Sequence, residues 1–311
     1  MRPGERLLLL LLGPTGTGKT AVAEEVARRL SGEIISADAF AVYRGLDVGT
    51  AKPTRERRAE IPHHLVDVAD PGESFSAGRW AALAERAAEE ISERGKLPIV
   101  CGGSGFYIRA LLDGLPPGEA KDARLRARLA VWGERVPRAA WRFLDVNDPL
   151  SAARIAPGNL RYVLRAIEIL LVTGRPASRR RAVAPRFREK WQVIAFGIAP
   201  DRADLYAKIE HRVREMLDGG WVEEVRRLLE SGLSLDSPSF QAIGYREVAE
   251  LALGRVGRET TEERIVTATR QLAKRQRTWF SRERGVLWVK PEEAVPAILD
   301  VVERRQTEKR G

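Results

Sequence analysis

The chain of 311 residues is 44% hydrophobic and 31% charged, enough for one large or two medium domains with a real core. Its one cysteine, Cys101, excludes an intrachain disulfide and a cysteine-based zinc site, and its three histidines, His63, His64 and His211, are expected in structural or hydrogen-bonding roles. Lys and Arg outnumber Asp and Glu by 53 to 43; the net charge of +10 suits a polyanionic partner or, equally, a proteome that uses arginine as its default surface cation.

Residues 7–12 are consecutive leucines, far short of the ~20 apolar residues that span a bilayer, and no small-residue cleavage site follows them. They are read as a first core strand of a cytoplasmic chain with no membrane segment. Gly13, Pro14, Thr15, Gly16, Thr17, Gly18, Lys19 and Thr20 follow at once and complete G-x-x-x-x-G-K-[ST], opening a helix over 20–30. A short strand over 33–37 ends at Asp38, and further strands are expected at 64–68 and 97–101, with a helix over 76–94 between them. This alternation predicts an α/β fold with a P-loop NTPase-like, doubly wound parallel sheet. From 114 to 191 strand patterns vanish, and Arg-rich helices are expected at 120–130, 138–144 and 159–172. This helical insertion closes on a basic stretch over 179–190, read as a solvated loop that also touches polyanion. A returning strand at 192–198, helices at 203–217, 222–231 and 262–282, and a short strand at 286–289 complete the core, with fraying expected past Arg304. The predicted division is therefore 1–113, 114–191 and 192–311.

The loop is built to bind a phosphate or diphosphate. Its glycines admit close approach, its N–H groups turn inward, Lys19 adds a point charge and the Thr20 hydroxyl can ligate Mg²⁺. Ligands of parallel sheets gather at the carboxyl ends of strands, which puts Asp38 beside the loop as a general base, a Mg²⁺ partner or a turn cap. Ser104, in Gly102-Gly103-Ser104-Gly105, ends another strand at the same rim unless this is a plain turn. A P-loop ATPase normally has an apolar strand ending in Asp, but residues 97–101 end in glycines, so Asp38 or Asp67 would have to serve. On the helix near the end, Arg270, Lys274 and Arg277 share one face, and Ala268, Leu272, Gln276 and Trp279 another. The basic face is either solvated, with Trp279 in the core, or tracks phosphates. With the Arg-rich insertion it favours nucleic acid, and RNA recognition commonly splays a base into a pocket.

Together, residues 13–20, 35–38, 42–53, 62–67, 98–112, 165–169, 241–246 and 268–279 resemble bacterial tRNA dimethylallyltransferases over nearly the full length. The runs at 45–53 (Gly-Leu-Asp-Val-Gly-Thr-Ala-Lys-Pro) and 270–276 (Arg-Gln-Leu-Ala-Lys-Arg-Gln) are the most specific. The resemblance implies transfer of a dimethylallyl group from its diphosphate to the exocyclic amine of the adenosine 3′ of the anticodon, in tRNAs reading codons that begin with U. The loop would then hold a prenyl diphosphate with Mg²⁺ rather than ATP. Asp38 matches the general base, Arg212 the arginine that steadies the departing diphosphate, and Ser104 replaces a usual threonine while keeping its hydroxyl. Arg126, Arg161, Arg165, Gln241 and Arg246 match tRNA-contacting stretches, Asp38, Phe40, Ser104, Arg270, Lys274 and Arg277 are expected to contact tRNA with them, and the insertion matches a mobile clamp on the anticodon stem-loop. The chain departs from the family's Asp-Ser-x-Gln-Val-Tyr at Ala39 and Ala41, which cannot make the polar contacts of Ser and Gln. A transferase acting on free adenosine phosphates, a P-loop kinase and a non-catalytic RNA-binding protein are the other readings, and a monomer is the expected state.

Overall fold

The computed structural model describes residues 6–115, 122–179 and 187–307, and the chain divides into two compact units, Met1–Asp113 with Pro185–Gly311, and Gly114–Ala184. The first unit opens with β1 (Arg6–Leu12), α1 (Lys19–Leu30), β2 (Gly32–Ala37), α2 (Arg55–Glu60) and β3 (His63–His64). It continues with α3 (Ala77–Glu93), β4 (Leu97–Gly102) and α4 (Gly105–Asp113). The second unit holds α5 (Ala123–Arg135), α6 (Pro137–Asn147), α7 (Pro149–Ala152) and α8 (Leu160–Thr173). The first unit then resumes with α9 (Phe187–Lys190), β5 (Trp191–Ile198), α10 (Arg202–Asp218), α11 (Trp221–Glu230) and α12 (Tyr245–Ala252). It ends with α13 (Arg258–Phe280), β6 (Val286–Val289) and α14 (Pro291–Thr307).

The six strands form one parallel sheet in the order β3-β2-β4-β1-β5-β6. A parallel sheet covered on both faces needs strands that are apolar on both sides, which explains the unbroken leucine run. Leu8 to Leu12 are all buried. One face packs Leu9, Leu11, Ile99 and Phe196 against Val22 and Val26 of α1 and Ala294, Ile298 and Val302 of α14, the last three at helical spacing. On α3, Trp80 stacks on Tyr107 with ring centroids 5.0 Å apart, and its indole N–H donates to Ser36 O at 2.9 Å.

Three expectations are corrected. The strand expected at 64–68 is only His63–His64, because Leu65 (φ 61°) and Asp67 (φ 58°) turn left-handed and end the pairing. The insertion closes at 184 rather than 191: Phe187 is buried and stacks on Trp191, 5.5 Å between centroids, so α9 belongs to the sheet unit. Past Arg304 the chain stays helical to Thr307, and the rest of the tail expected to fray lies outside the described residues. The helices α2, α4, α12 and α14 were not anticipated. Most of the basic stretch over 179–190 lies outside the described residues. No helix among the described residues is long and apolar enough to cross a membrane.

The second unit is helical and has its own core of Leu129, Ala140, Leu144, Val163, Ala166 and Ile167. Buried Asp148 caps α7, accepting from Ser151 N–H and hydroxyl, and it also accepts from Ser178 N–H. Buried Glu168 accepts from Arg126 at 2.9 Å and Arg165 at 2.8 Å, and the two guanidiniums outweigh its burial to hold the carboxyl below its ordinary range.

Glu33 anchors the entry end of the sheet. Its side chain is 4% exposed and meets His64 Nε2 at 2.7 Å, Arg94 at 2.6 Å and Lys96 at 3.0 Å. Burial alone would raise this carboxyl, but the hydrogen bonds outweigh it and hold it at about 2 against an ordinary 4.5. A depressed carboxyl stabilises the fold above its unfolded value, and that contribution fades as pH falls from about 4.5 through about 2. Each pH unit is worth about 1.4 kcal/mol, which caps the contribution at ~3.5 kcal/mol before solvent screening at Arg94 and Lys96. Glu33→Gln is therefore expected to lose ~1–3 kcal/mol at neutral pH in denaturant titration, and to equal the wild type near pH 2. A stability gap that stays constant from pH 6 to pH 2 would rule this out.

Candidate active site

The sheet register sets the site. Leu12 of β1 and Ala37 of β2 both pair with Gly102 of β4, so three strands end on one rung. Gly13, Asp38 and Gly103 are each the next residue out, which brings the glycine-rich loop, the carboxylate and the Ser104 turn to one rim. Ser104 N–H donates to Ala37 O at 3.1 Å, tying that turn beside Asp38.

The loop leads straight into α1. Gly16 (φ 84°) and Gly18 (φ 80°) take left-handed conformations closed to most side chains. Thr17 Oγ1 and Lys19 Nζ both donate to Pro14 O at 3.0 Å. The N–H groups of Gly16, Thr17, Gly18, Lys19 and Thr20 have no acceptor among the described residues. That is an anion receptor at a helix N-terminus. Burial lowers the Lys19 pKa, while the nearby Asp38 carboxylate opposes the shift. Thr20 is exposed on the first turn of α1.

Asp38 is half-buried and held by its own backbone. Its Oδ1 accepts from Phe40 N–H at 2.8 Å and Ala41 N–H at 3.1 Å. Oδ2 accepts no hydrogen bond from a described residue, which leaves it able to take a proton. Asp67, the other strand-end candidate, has one oxygen on Lys52 at 2.6 Å and the other on Arg58 at 2.7 Å. Those cations outweigh burial and keep its carboxyl below the ordinary range. Asp67 is thus a tie for the 45–53 loop, with both oxygens already on cations, and it does not line the cavity that Asp38 borders. Magnesium donors reduce to Thr20 and Asp38. That set fits a hard cation completed by diphosphate oxygens and water, and among the described residues no three His, Cys, Asp or Glu converge into a protein-only cage.

A cavity of about 310 Å³ joins these parts. Thr15, Gly16, Asp38 and Arg212 line its polar end, and Ile209, Val213, Met216, Trp221, Ile265 and Leu272 make an apolar wall. Phe40 and Gln241 line it too. Arg212, on α10, has its pKa lowered by burial, against which the charges of Asp38 and Glu215 act. A guanidinium stays charged regardless. One end therefore suits a diphosphate and the wall a short hydrocarbon.

The loop over 45–53 is fastened from α11. Buried Glu224 accepts from Asp47 N–H and Val48 N–H at 2.7 Å each, Gly49 N–H at 3.3 Å and Tyr245 hydroxyl at 2.7 Å. Burial and the neighbouring Glu224 raise the Tyr245 pKa, so its hydroxyl stays a donor. Trp221, Glu224, Arg275 and Gln276 were not foreseen as site residues; Arg275 and Gln276 stand inside the most specific motif, which was the only available signal.

The anticipated cations divide. Arg270 is bonded to Glu210 at 3.0 Å and lies over Tyr206, 5.1 Å from the centroid, so its charge is compensated rather than offered to phosphates. Lys274 lines a surface pocket of about 550 Å³ with Arg109, Arg275, Trp279 and Arg282. Trp279 is half-exposed under Arg109, 4.6 Å from the ring centroid; buried Phe280 takes the core place expected of it. Arg161, Gln241 and Arg277 are exposed, and Arg246 reaches Asp236 at 3.7 Å. Ala41 is 5% exposed, so a larger polar side chain there would have to displace buried neighbours.

A family model described as IPP transferase matches residues 41–283, and one described as isopentenyl transferase matches residues 6–63. The tRNA dimethylallyltransferase of Thermomicrobium roseum is 43% identical over 284 residues, 90% of this chain and 85% of that one. One from an Anaeromyxobacter species is 46% identical over 287 residues, 91% and 94% of the two chains. The solved full-length tRNA isopentenylpyrophosphate transferase of Bacillus halodurans is 35% identical, with a TM-score of 0.72 over 98% of each chain. A eukaryotic dimethylallyltransferase acting on tRNA is 26% identical, with a TM-score of 0.77 over 92% of this chain and 74% of its own. The match spans the phosphate loop, the Ser104 turn, Arg212 and the cavity wall, and the chain belongs to the IPP transferase family.

Proposed function

We propose that the protein transfers a dimethylallyl group from dimethylallyl diphosphate to the exocyclic amine of the adenosine 3′ of the anticodon, in tRNAs reading codons that begin with U. In this reading it acts as a monomer in the cytoplasm. The cavity carries the proposal: it joins a phosphate receptor to an apolar wall with one carboxylate oxygen free beside them. The relatives named for tRNA dimethylallyl transfer support RNA, rather than a free nucleotide, as acceptor.

An adenine amine is a weak nucleophile because its lone pair is delocalised, so the allylic C–O bond must be largely broken as the C–N bond forms. The electron pair of the broken bond leaves with diphosphate. Arg212 lines the cavity and Lys19 lies within electrostatic reach of it and of Asp38; with the loop N–H groups they would stabilise that charge as it accumulates. Asp38 Oδ2 takes the amine proton as the bond forms. The apolar wall holds the prenyl chain and keeps water from the allylic carbon. Magnesium, held by Thr20 with Asp38 at hand, would add Lewis-acid charge on the diphosphate oxygens.

We assign Phe40, Gln241 and Ser104 to the acceptor side, and Arg126, Arg161, Arg165, Arg246, Lys274 and Arg277 to tRNA contacts. The Gly114–Ala184 unit would grip the anticodon stem-loop.

Radiolabelled dimethylallyl diphosphate, Mg²⁺ and unmodified tRNA, with AMP and ATP as parallel acceptors, test this reading. Label in tRNA alone is expected; label in AMP or ATP would move the chain to the free-nucleotide class. Asp38→Asn keeps an oxygen for the Phe40 and Ala41 N–H groups, so the loop should survive while turnover falls roughly 10²–10⁴-fold. Turnover within tenfold of wild type would remove Asp38 as the base. Replacing Lys274 and Arg277 by Ala should flatten the salt dependence of tRNA binding by about one slope unit each. Arg270→Ala should flatten it less, because Glu210 already compensates that charge; three equal effects would contradict this division.

A further inference from the structure

α13 reaches into the site with a neutral side chain that the proposed chemistry does not use. Gln276 is half-buried on the face of the helix that turns toward the sheet rim. Its Oε1 accepts from Thr15 N–H at 2.9 Å, and its Nε2 donates to Gly103 O at 3.0 Å. The first partner can only donate and the second can only accept, so the amide orientation follows from its surroundings. One side chain thereby links the phosphate loop after β1 to the Ser104 turn after β4. The fit is close, since a Cβ on Gly103 would lie 2.4 Å from Nε2. One turn further along α13, Trp279 closes on Gly105 so tightly that a Cβ there would lie 2.3 Å from its Nε1. Ser104 sits between these two glycines, with its N–H on Ala37, the residue before Asp38.

We propose that Gln276 is a positioning residue that sets the separation between the diphosphate loop and the acceptor-side turn carrying Ser104. This rests on the transfer reaction proposed above. In that reaction the amine and the leaving diphosphate must stand on opposite sides of one carbon, and a shift of about 1 Å can cost roughly 100-fold. The loop presents the leaving group and the turn borders the acceptor. A primary amide of this length satisfies both loops. Carboxylate keeps the acceptor for Thr15 but has no donor for Gly103, and an apolar chain has neither.

The test uses the full-length protein with tRNA and labelled dimethylallyl diphosphate. Gln276→Met, close in shape and without either hydrogen bond, should lose roughly 10–100-fold in kcat, with the affinities for the prenyl diphosphate and for tRNA each within about threefold of wild type. Gln276→Glu adds a readout that a merely structural role would not move. When protonated, its carboxyl again has one donor and one acceptor, so its kcat relative to wild type should rise as pH falls, while the ratio for Gln276→Met stays flat. A pH-independent ratio for Gln276→Glu, unchanged kcat in both variants, or a loss confined to binding of either substrate would overturn the proposal. Wild-type protein that transfers no label to tRNA would remove the reaction itself and the positioning role with it. Active wild type beside normal variants would remove the positioning role alone.

Discussion

A strand paired on both edges and buried on both faces can leave its sheet only at its end, and that constraint on β1 organises this protein. Leu8 to Leu12 are apolar on every side, so the chain has no freedom until Gly13. Because β2 and β4 end on the same rung, the phosphate loop, Asp38 and the Ser104 turn emerge side by side. The site is the place where three covered strands run out of sheet, and the backbone groups that lose their partners there are available to a ligand.

Buried or half-buried carboxylates are common in this chain, and their partners sort them by role. Glu33, Asp67, Asp148, Glu168 and Glu224 have both oxygens engaged by cations, hydroxyls or N–H groups. Each ties segments together and has nothing left for chemistry, because a buried charge is tolerated only when satisfied. Asp38 differs from these five in having one oxygen fixed and the other unengaged among the described residues; buried Glu24 on α1 shares that pattern, but its second oxygen faces His63 Nε2 at 3.4 Å and it does not line the cavity. The same logic separates the cations. Arg270 is spent on Glu210, whereas Lys274 and Arg277 remain on the surface.

Much of this was legible from order and spacing. The leucine run, the loop motif and the following helix lie within a stretch short enough that local periodicity and turn chemistry decide them. Asp38 was legible as a strand-end carboxylate and Ser104 as part of a glycine-rich turn. The strand expected at 64–68 failed because two residues turn left-handed there to let Asp67 meet Lys52 and Arg58, a tertiary demand with no local signature. One of the two readings of the last basic helix put Trp279 in the core, but the core place belongs to its neighbour Phe280, since helical phase alone cannot say which of two adjacent aromatics faces inward.

The phosphate loop, the α/β alternation and the helical character of the insertion could be read from the chain alone, because each depends on residues within a few positions of one another, and the basic balance because it is a simple count. Only the tertiary structure decided the cavity and its fastenings. Thr15 meets Gln276 across 261 positions, Asp47 meets Glu224 across 177, and Gly103 meets Gln276 across 173. No periodicity links such pairs. They meet because the sheet order returns β5 to the edge of β1, and with it the helices α10, α11 and α13 that wall the cavity.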